Sequence, residues 1–406
     1  MSNSTSEYVT PLLPQNSETP QHDPIPQNGS ISGAVFNIST TMVGAGIMSI
    51  PATMKVLGII PGLIVIVLVA VITDLTVEFM LRCTSSGKAV TYAGMVGESF
   101  GWGGSLAVKI CVITTNLGVL IVYLIILGDV LCGNEYEGTI HLDSLKYSSA
   151  LSILLALVFV VICSSMAVTA LSSGKTQSVR IFPDFSQVTA LDLFTTVPIF
   201  VTGFGFHVNV HPIRAELVKP TDMSSAVRIS LLISVAIYFA IGFFGYLLFG
   251  DSIMPDVLVN FDQNSDSSFG RWLDNVIRLS YALHLALVFP IMNYSLRANI
   301  DELLFTKKNK APLALDTPRF VSLTLVLLAF TYLVAVAIPN VWYFFQFLGS
   351  TTIVCLSFIF PAAIILRDMH GISKTRDKVM AIVVIILAVG TSGIAIWTNL
   401  NGSSAD

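Results

Sequence analysis

The chain has 406 residues, 54% of them hydrophobic and 11% charged, where soluble domains carry about 25% charge. A mean hydropathy of +0.79 excludes a water-exposed surface and implies an all-α polytopic membrane protein set in lipid. The net charge of -4 offers no basic face for nucleic acid, and the 21 basic residues report orientation in the bilayer.

Residues 1–30 are rich in Pro, Ser, Asn and Gln and hold no Lys or Arg, so they read as a disordered tail. Within it, Glu7 followed by Leu12 and Leu13 has the spacing of an acidic dileucine sorting address. Apolar runs long enough for about 30 Å of hydrocarbon then fall at about 31–55, 58–81, 103–131, 148–171, 189–212, 226–249, 275–300, 319–338, 341–366 and 379–398. Their periodicity is helical, without the alternation of a barrel. Trp102, Trp272, Trp342, Tyr343 and Trp397 sit near run ends, as interface anchors do.

Basic connections occur at Arg82 and Lys88, at Arg214 to Arg228, at Arg297 to Arg319, and at Arg367 to Lys378. The segments near Glu135 and Asp251 are acidic and suit the opposite face. Two spans separate the second basic connection from the third, and two the third from the fourth. Three separate the first from the second, which puts Arg82 and Arg214 on opposite faces and conflicts with the charge rule. Either one of these runs does not cross fully, or a helix is missing between about Cys132 and Ser148.

Two spans are interrupted. In Ser39 to Pro51 the glycines of Gly44-Ala45-Gly46 stand among Ser39, Thr40, Thr41 and Ser49, with Pro51 behind them. One reading is a close-packing seam; the other is unwound backbone lining a polar cavity. Val201 to Pro212 repeats the pattern, with Gly203 and Gly205 ahead of His207, Asn209, His211 and Pro212. Paired Gly/Pro interruptions in two halves point to a transporter site, where half-helix N–H groups face an anionic group such as a carboxylate.

At these residues, in GAVFNISTTMVGAGIMSIP, FGFHVNVHPI and NFDQ, the chain resembles the amino acid/auxin permease family. The likeness is to its branch of sodium-coupled neutral and vacuolar amino acid transporters, in the plant-type subgroup. The resemblance implies a LeuT-like fold of eleven helices with a cytoplasmic N-terminus, and substrate held between broken helices one and six. Its transporter domain would run over 31–400, with a first repeat at about 31–171, a second at about 189–366 and an extra helix at 379–398. It further implies that the backbone of Val43, Gly44, Ala45, Gly46, Ile47 and Met48 binds a neutral amino acid's carboxylate, while Gly203, Phe204, Gly205 and Phe206 frame its amine and side chain. Asn37 matches a sodium ligand of the coupled members, or makes an interhelical hydrogen bond. The chain departs from the branch where EGTIHL runs directly into DSLKYSSA. There, near Leu142 to Asp143, the family's fourth helix is missing and the first repeat incomplete, so a transport-inactive form is the competing reading.

The coupled members place a hydroxyl before the proline of helix eight, whereas His284 to Pro290 is apolar there. Sodium coupling is therefore disfavoured and a proton is the expected driver, with His207 and His284 as titratable candidates. Vacuolar or other endomembrane placement is expected. Asp74, Glu78 and Arg82, one turn apart, read as an ion-pair series; Lys109 and Asp129 read as snorkelling. His207 and His211 lack the acidic partner of a metalloprotease helix, and the five cysteines show no metal spacing. No enzyme, metal or cofactor is expected, and no phosphate loop couples the chain to ATP.

Overall fold

The computed structural model describes residues 29–131, 145–261, 268–304, 313 and 316–402. The expected tail and its dileucine lie outside them, except that Gly29 donates from its N–H to the Glu216 carbonyl at 3.0 Å. Among the described residues nine helical runs can cross a membrane, and one bent pair makes a tenth. These are the ten apolar runs of the sequence.

The bent pair holds α1 (Ile31–Met42) and α2 (Ile50–Leu57), the latter preceded by a 3-10 turn at Ala45–Ser49; the limbs Ile31–Met42 and Gly46–Leu57 meet at 52°. Next come α3 (Ile59–Ser86), α4 (Tyr92–Leu131) and α5 (Leu145–Ser172). In α4 the residue Gly101 has φ 70°, a conformation glycine adopts without a Cβ penalty, so Tyr92–Phe100 forms a separate limb. The second interrupted span comprises α6 (Asp192–Thr195), α7 (Val197–Gly203), a 3-10 turn at His207–Asn209 and α8 (Val210–Glu216). It is followed by α9 (Met223–Phe249), the short α10 (Val257–Asn260), α11 (Ser268–Leu304) and α12 (Thr317–Ala337). The chain closes with α13 (Val341–Leu348), two π-helical turns over Gly349–Ile359, α14 (Phe360–Arg367) and α15 (Thr375–Gly402).

Both interrupted spans lie at the centre. The first packs on α9 and α3, α11 lies along α4 and α5, and α12 covers α4. Apolar side chains such as Leu232, Val326 and Leu333 are exposed on the outside, where lipid takes the place of water.

Directions follow from contacts at the helix ends. Beyond α5, the Gln177 N–H donates to the Leu247 carbonyl, and the carbonyls of Arg180 and Ile181 accept from Ile59 and Ile60. The end of α5 therefore lies where α9 ends and α3 begins, opposite the basic residues Arg82, Arg214 and Arg367; this is called the outer face below. Arg278, near the start of α11, donates to the carbonyls of Asp129 and Val130, which brings the end of α4 to the same face. Consecutive spans α4 and α5 thus point the same way, the geometry the loop charges implied.

The charged residues differ from the sequence reading. Asp74, Glu78 and Arg82 form no ladder along α3: Asp74 pairs with Arg228 at 3.5 Å, Glu78 accepts from Ser224, and Arg82 pairs with Asp377 at 3.0 Å. Neighbouring helices bring charges closer than the next turn does. Lys109 does not snorkel free but pairs with Glu302 at 2.6 Å.

Candidate substrate site

The glycines of the two breaks meet. A Cβ on Gly46 would lie 3.4 Å from the Gly203 Cα, so the broken spans approach backbone to backbone. Gly203 has a second constraint, because a Cβ there would come within 2.9 Å of the Tyr238 ring and hydroxyl. The first motif packs closely against the second break and also leaves the α-helical path, as a 3-10 turn at Ala45–Ser49.

Each break is a 3-10 turn whose opening N–H groups have no partner within the turn: those of Ala45 and Gly46 in the first, and of His207 and Val208 in the second. The carbonyls released there are mostly occupied. Tyr238 on α9 donates to Met42 O at 2.6 Å and also lies 2.7 Å from Gly203 O. Tyr281 on α11 donates to Gly44 O at 2.6 Å. A third hydroxyl, of Tyr123 on α4, would be 3.5 Å from a Cβ on Gly44. All three tyrosines are buried, and a buried carbonyl left without a donor costs about 1–3 kcal/mol. Tyrosine hydroxyls thus serve Met42 O and Gly44 O at the first break. The tyrosines escape a sequence reading because each is a lone aromatic in an apolar run, without local spacing to mark it.

Of the remaining expected site residues, Val43, Ile47 and Met48 are buried beside the break, as are Phe204 and Phe206. The Phe204 ring packs on Tyr238 at 4.9 Å. A Cβ on Gly205 would lie 2.6 Å from the Ile353 side chain on the first π-helical turn. His207 is fully buried, with Nε2 2.9 Å from Thr76 Oγ1. His211, also buried, makes the matching contact with Thr84 at 2.9 Å. The two imidazoles fasten the second broken span to α3. The His284 ring lies tilted against that of Tyr281, 5.0 Å between centroids. Asn37 is exposed on α1, and its carbonyl accepts from Thr41, whose hydroxyl oxygen accepts from Asn209. No cluster of three metal-ligating side chains occurs among the described residues.

A cavity of about 480 Å³ lies between α1, α5 and α9, lined by apolar residues including Val35, Phe36, Val43, Leu157 and Ile233. It touches the expected site only at Val43. Its apolar walls make it a crevice beside the inner half of α1, not the pocket of a charged amino acid backbone.

The family model described as "Transmembrane amino acid transporter protein" matches residues 27–133 and 139–399. The chain is 46% identical to amino acid transporter AVT6C of Arabidopsis thaliana, over 99% of this chain and 100% of that one. It is 42% identical to AVT6A of the same plant, over 97% and 94%. Mouse solute carrier family 38 member 10 is 27% identical over 88% of this chain and 35% of its own length. Among solved structures, a manganese transporter of Eremococcus coleocola has a TM-score of 0.53 at 12% identity, covering 93% of this chain and 88% of that one; that likeness concerns the fold alone. The alignment with AVT6C runs over 439 residues against the 406 of this chain, an excess larger than the ~20 residues of a membrane helix. The family match itself breaks at 134–138, between α4 and α5.

Proposed function

The chain belongs to the transmembrane amino acid transporter family, and from that premise we propose that it is a secondary carrier of neutral amino acids in the vacuolar or another endomembrane, working by alternating access. The observation that carries this reading is the abutting pair of breaks, Gly46 against Gly203, each a 3-10 turn whose opening N–H groups lack a partner inside the turn. The Ala45 and Gly46 N–H groups would bind the substrate carboxylate. Phe204 and Phe206 would wall its side chain, and neither Ser39 to Pro51 nor Val201 to Pro212 holds an Asp, Glu, Lys or Arg, which suits a neutral substrate. A proton is favoured over sodium as the driver. Met42 O, Gly44 O and Gly203 O, the hard oxygens a cation would need, already face tyrosine hydroxyls. Counterflow of labelled neutral amino acids in proteoliposomes tests the reading. Accumulation under an imposed pH gradient supports it, and accumulation driven only by sodium refutes the proton.

A second reading is favoured by the direction of α4 and α5: this form lacks one crossing and needs it for flux. Two spans that both end at the outer face require an intervening return. As a helix, residues 132–144 would reach about 20 Å, short of the ~30 Å of hydrocarbon. An apolar helical segment of about 20 residues, inserted between Leu131 and Leu145, supplies the comparison. Flux from the insertion form alone supports the second reading, equal flux from both sinks it, and flux from neither removes the transport proposal.

A further inference from the structure

One carboxyl that the transport reading leaves unused stands at the outer mouth. Asp256, just ahead of α10, is 4% exposed. Its Oδ1 accepts from the Leu258 N–H at 2.9 Å, as a helix-capping carboxylate does, but its Oδ2 has no hydrogen-bond partner among the described residues. Such an oxygen, if charged, is strongly disfavoured when buried. The preceding residue is fastened to the first break: the Ser49 hydroxyl, at the end of the 3-10 turn, donates to the Pro255 carbonyl at 2.7 Å. Val257 and Leu258 are fully buried, and α10 packs on that turn and on α4.

The groups around Asp256 sharpen its position. From α4 comes Asp129, a like charge, and from α11 come Arg278 and Tyr281, with Asp274 one turn before Arg278. Arg278 directs a nitrogen to the carbonyls of Asp129 and Val130. The break offers only the Ser49 hydroxyl, and α5 and α9 present the rings of Phe159 and Phe249 to Phe261. Resting on the transport reading, we propose that Asp256 is a proton-binding site whose neutral form latches the α10 segment over the first broken span, closing the outer mouth. When the segment lifts, water reaches the carboxyl and it ionises; when it seats, the proton must be present.

The sign is set by burial. It pushes the seated carboxyl up to about 7, with Asp129 adding to the rise while the Leu258 N–H and Arg278 oppose it. A lifted, solvated carboxyl returns to about 4. Acid at the outer face between those values therefore favours the seated state.

The test uses the full chain in proteoliposomes, with the five cysteines replaced and one introduced by Leu258→Cys. A second form with Met254→Cys, at a residue 47% exposed, reports the intrinsic pH dependence of the thiol. A membrane-impermeant maleimide is applied from the outer face. The Leu258→Cys rate, divided by that of Met254→Cys, falls as outer pH drops from about 8 to about 5.5, by up to about 30-fold. Adding Asp256→Asn makes the ratio low at both pH values, and adding Asp256→Glu keeps the slope. A slope unchanged by Asp256→Asn, or fast labelling of that variant at both pH values, overturns the latch. Amino acid counterflow in the same vesicles reads the transport proposal separately, since labelling needs no flux.

Discussion

Replacing Gly203 by Ala tests whether the contact between the breaks is built around Tyr238. The added Cβ would lie 2.9 Å from two Tyr238 atoms, and a carbon so placed forces something to move. The ring has little freedom, being fully buried and packed on Phe204. Overpacking of this kind costs about 1–3 kcal/mol. If the ring yields, its single hydroxyl proton also leaves the carbonyl it serves, Met42 O or Gly203 O, a loss of about 1–3 kcal/mol. The expected total is on the order of 2–6 kcal/mol. Gly46→Ala is the control at the same contact, its nearest neighbour being the Gly203 Cα at 3.4 Å, and it should cost under about 1 kcal/mol. Thermal unfolding of the purified protein in detergent, with counterflow for each variant, ranks the pair. Tyr238→Phe completes a double-mutant cycle: once Gly203→Ala has displaced the hydroxyl, removing it should cost almost nothing more. A Gly203→Ala protein as stable as its parent, or strict additivity with Tyr238→Phe, would refute this account of the break.

Thr76→Val removes the hydroxyl facing His207 Nε2 at 2.9 Å, inside a fully buried contact. It should lower stability by about 1–3 kcal/mol, measured by thermal unfolding, with the conservative Thr76→Ser restoring most of it. Arg82→Ala, by contrast, breaks a pair with Asp377 in which the arginine side chain is 31% exposed, and should change stability by at most about 1 kcal/mol. Asp368, in the turn between α14 and α15, is held well below the usual carboxylate range, to about 2, chiefly by its hydrogen bond from Lys378, with Ser373 also lowering it. A depressed carboxyl stabilises the fold above its unfolded value near 4 and loses that contribution as pH falls through about 2. Asp368→Asn should therefore be the less stable protein at neutral pH, the difference from its parent closing as denaturation is measured below pH 4.

The backbone breaks were legible because glycine, hydroxyl and proline cannot share an apolar helix without consequence. Gly44 to Pro51 and Gly203 to Pro212 mark the only two paired interruptions the sequence reading selected, and the structure bends or unwinds both. The excess of parity between Arg82 and Arg214 was legible for a different reason. Loop charge counts crossings, and it anticipated that α4 and α5 run the same way. Pairing across helices was not legible. Tyr238 and Met42 are 196 residues apart, and Tyr281 and Gly44 are 237 apart, so no local period connects them. The same holds for Arg82 with Asp377, where a spacing rule suggested Glu78 and tertiary packing supplied a closer carboxylate.

These distances also separate the site from the connection between α4 and α5. The first break is held by hydroxyls from α9 and α11, with Tyr123 of α4 beside Gly44, and meets the second break at Gly203. Every one of those elements is present. The backbone donors at Ala45 and Gly46 therefore keep their setting whether or not another helix joins Leu131 to Leu145. A return span would bear on how α4 and α5 are anchored, and so on the motion between states, more than on the binding of an amino acid in one of them. Binding and flux should accordingly dissociate. Equilibrium binding of a labelled neutral amino acid to the purified chain is expected to survive in the present form, even where counterflow requires the inserted segment. Loss of binding together with flux, both recovered by the insertion, would show that the return span shapes the site itself and would refute this separation.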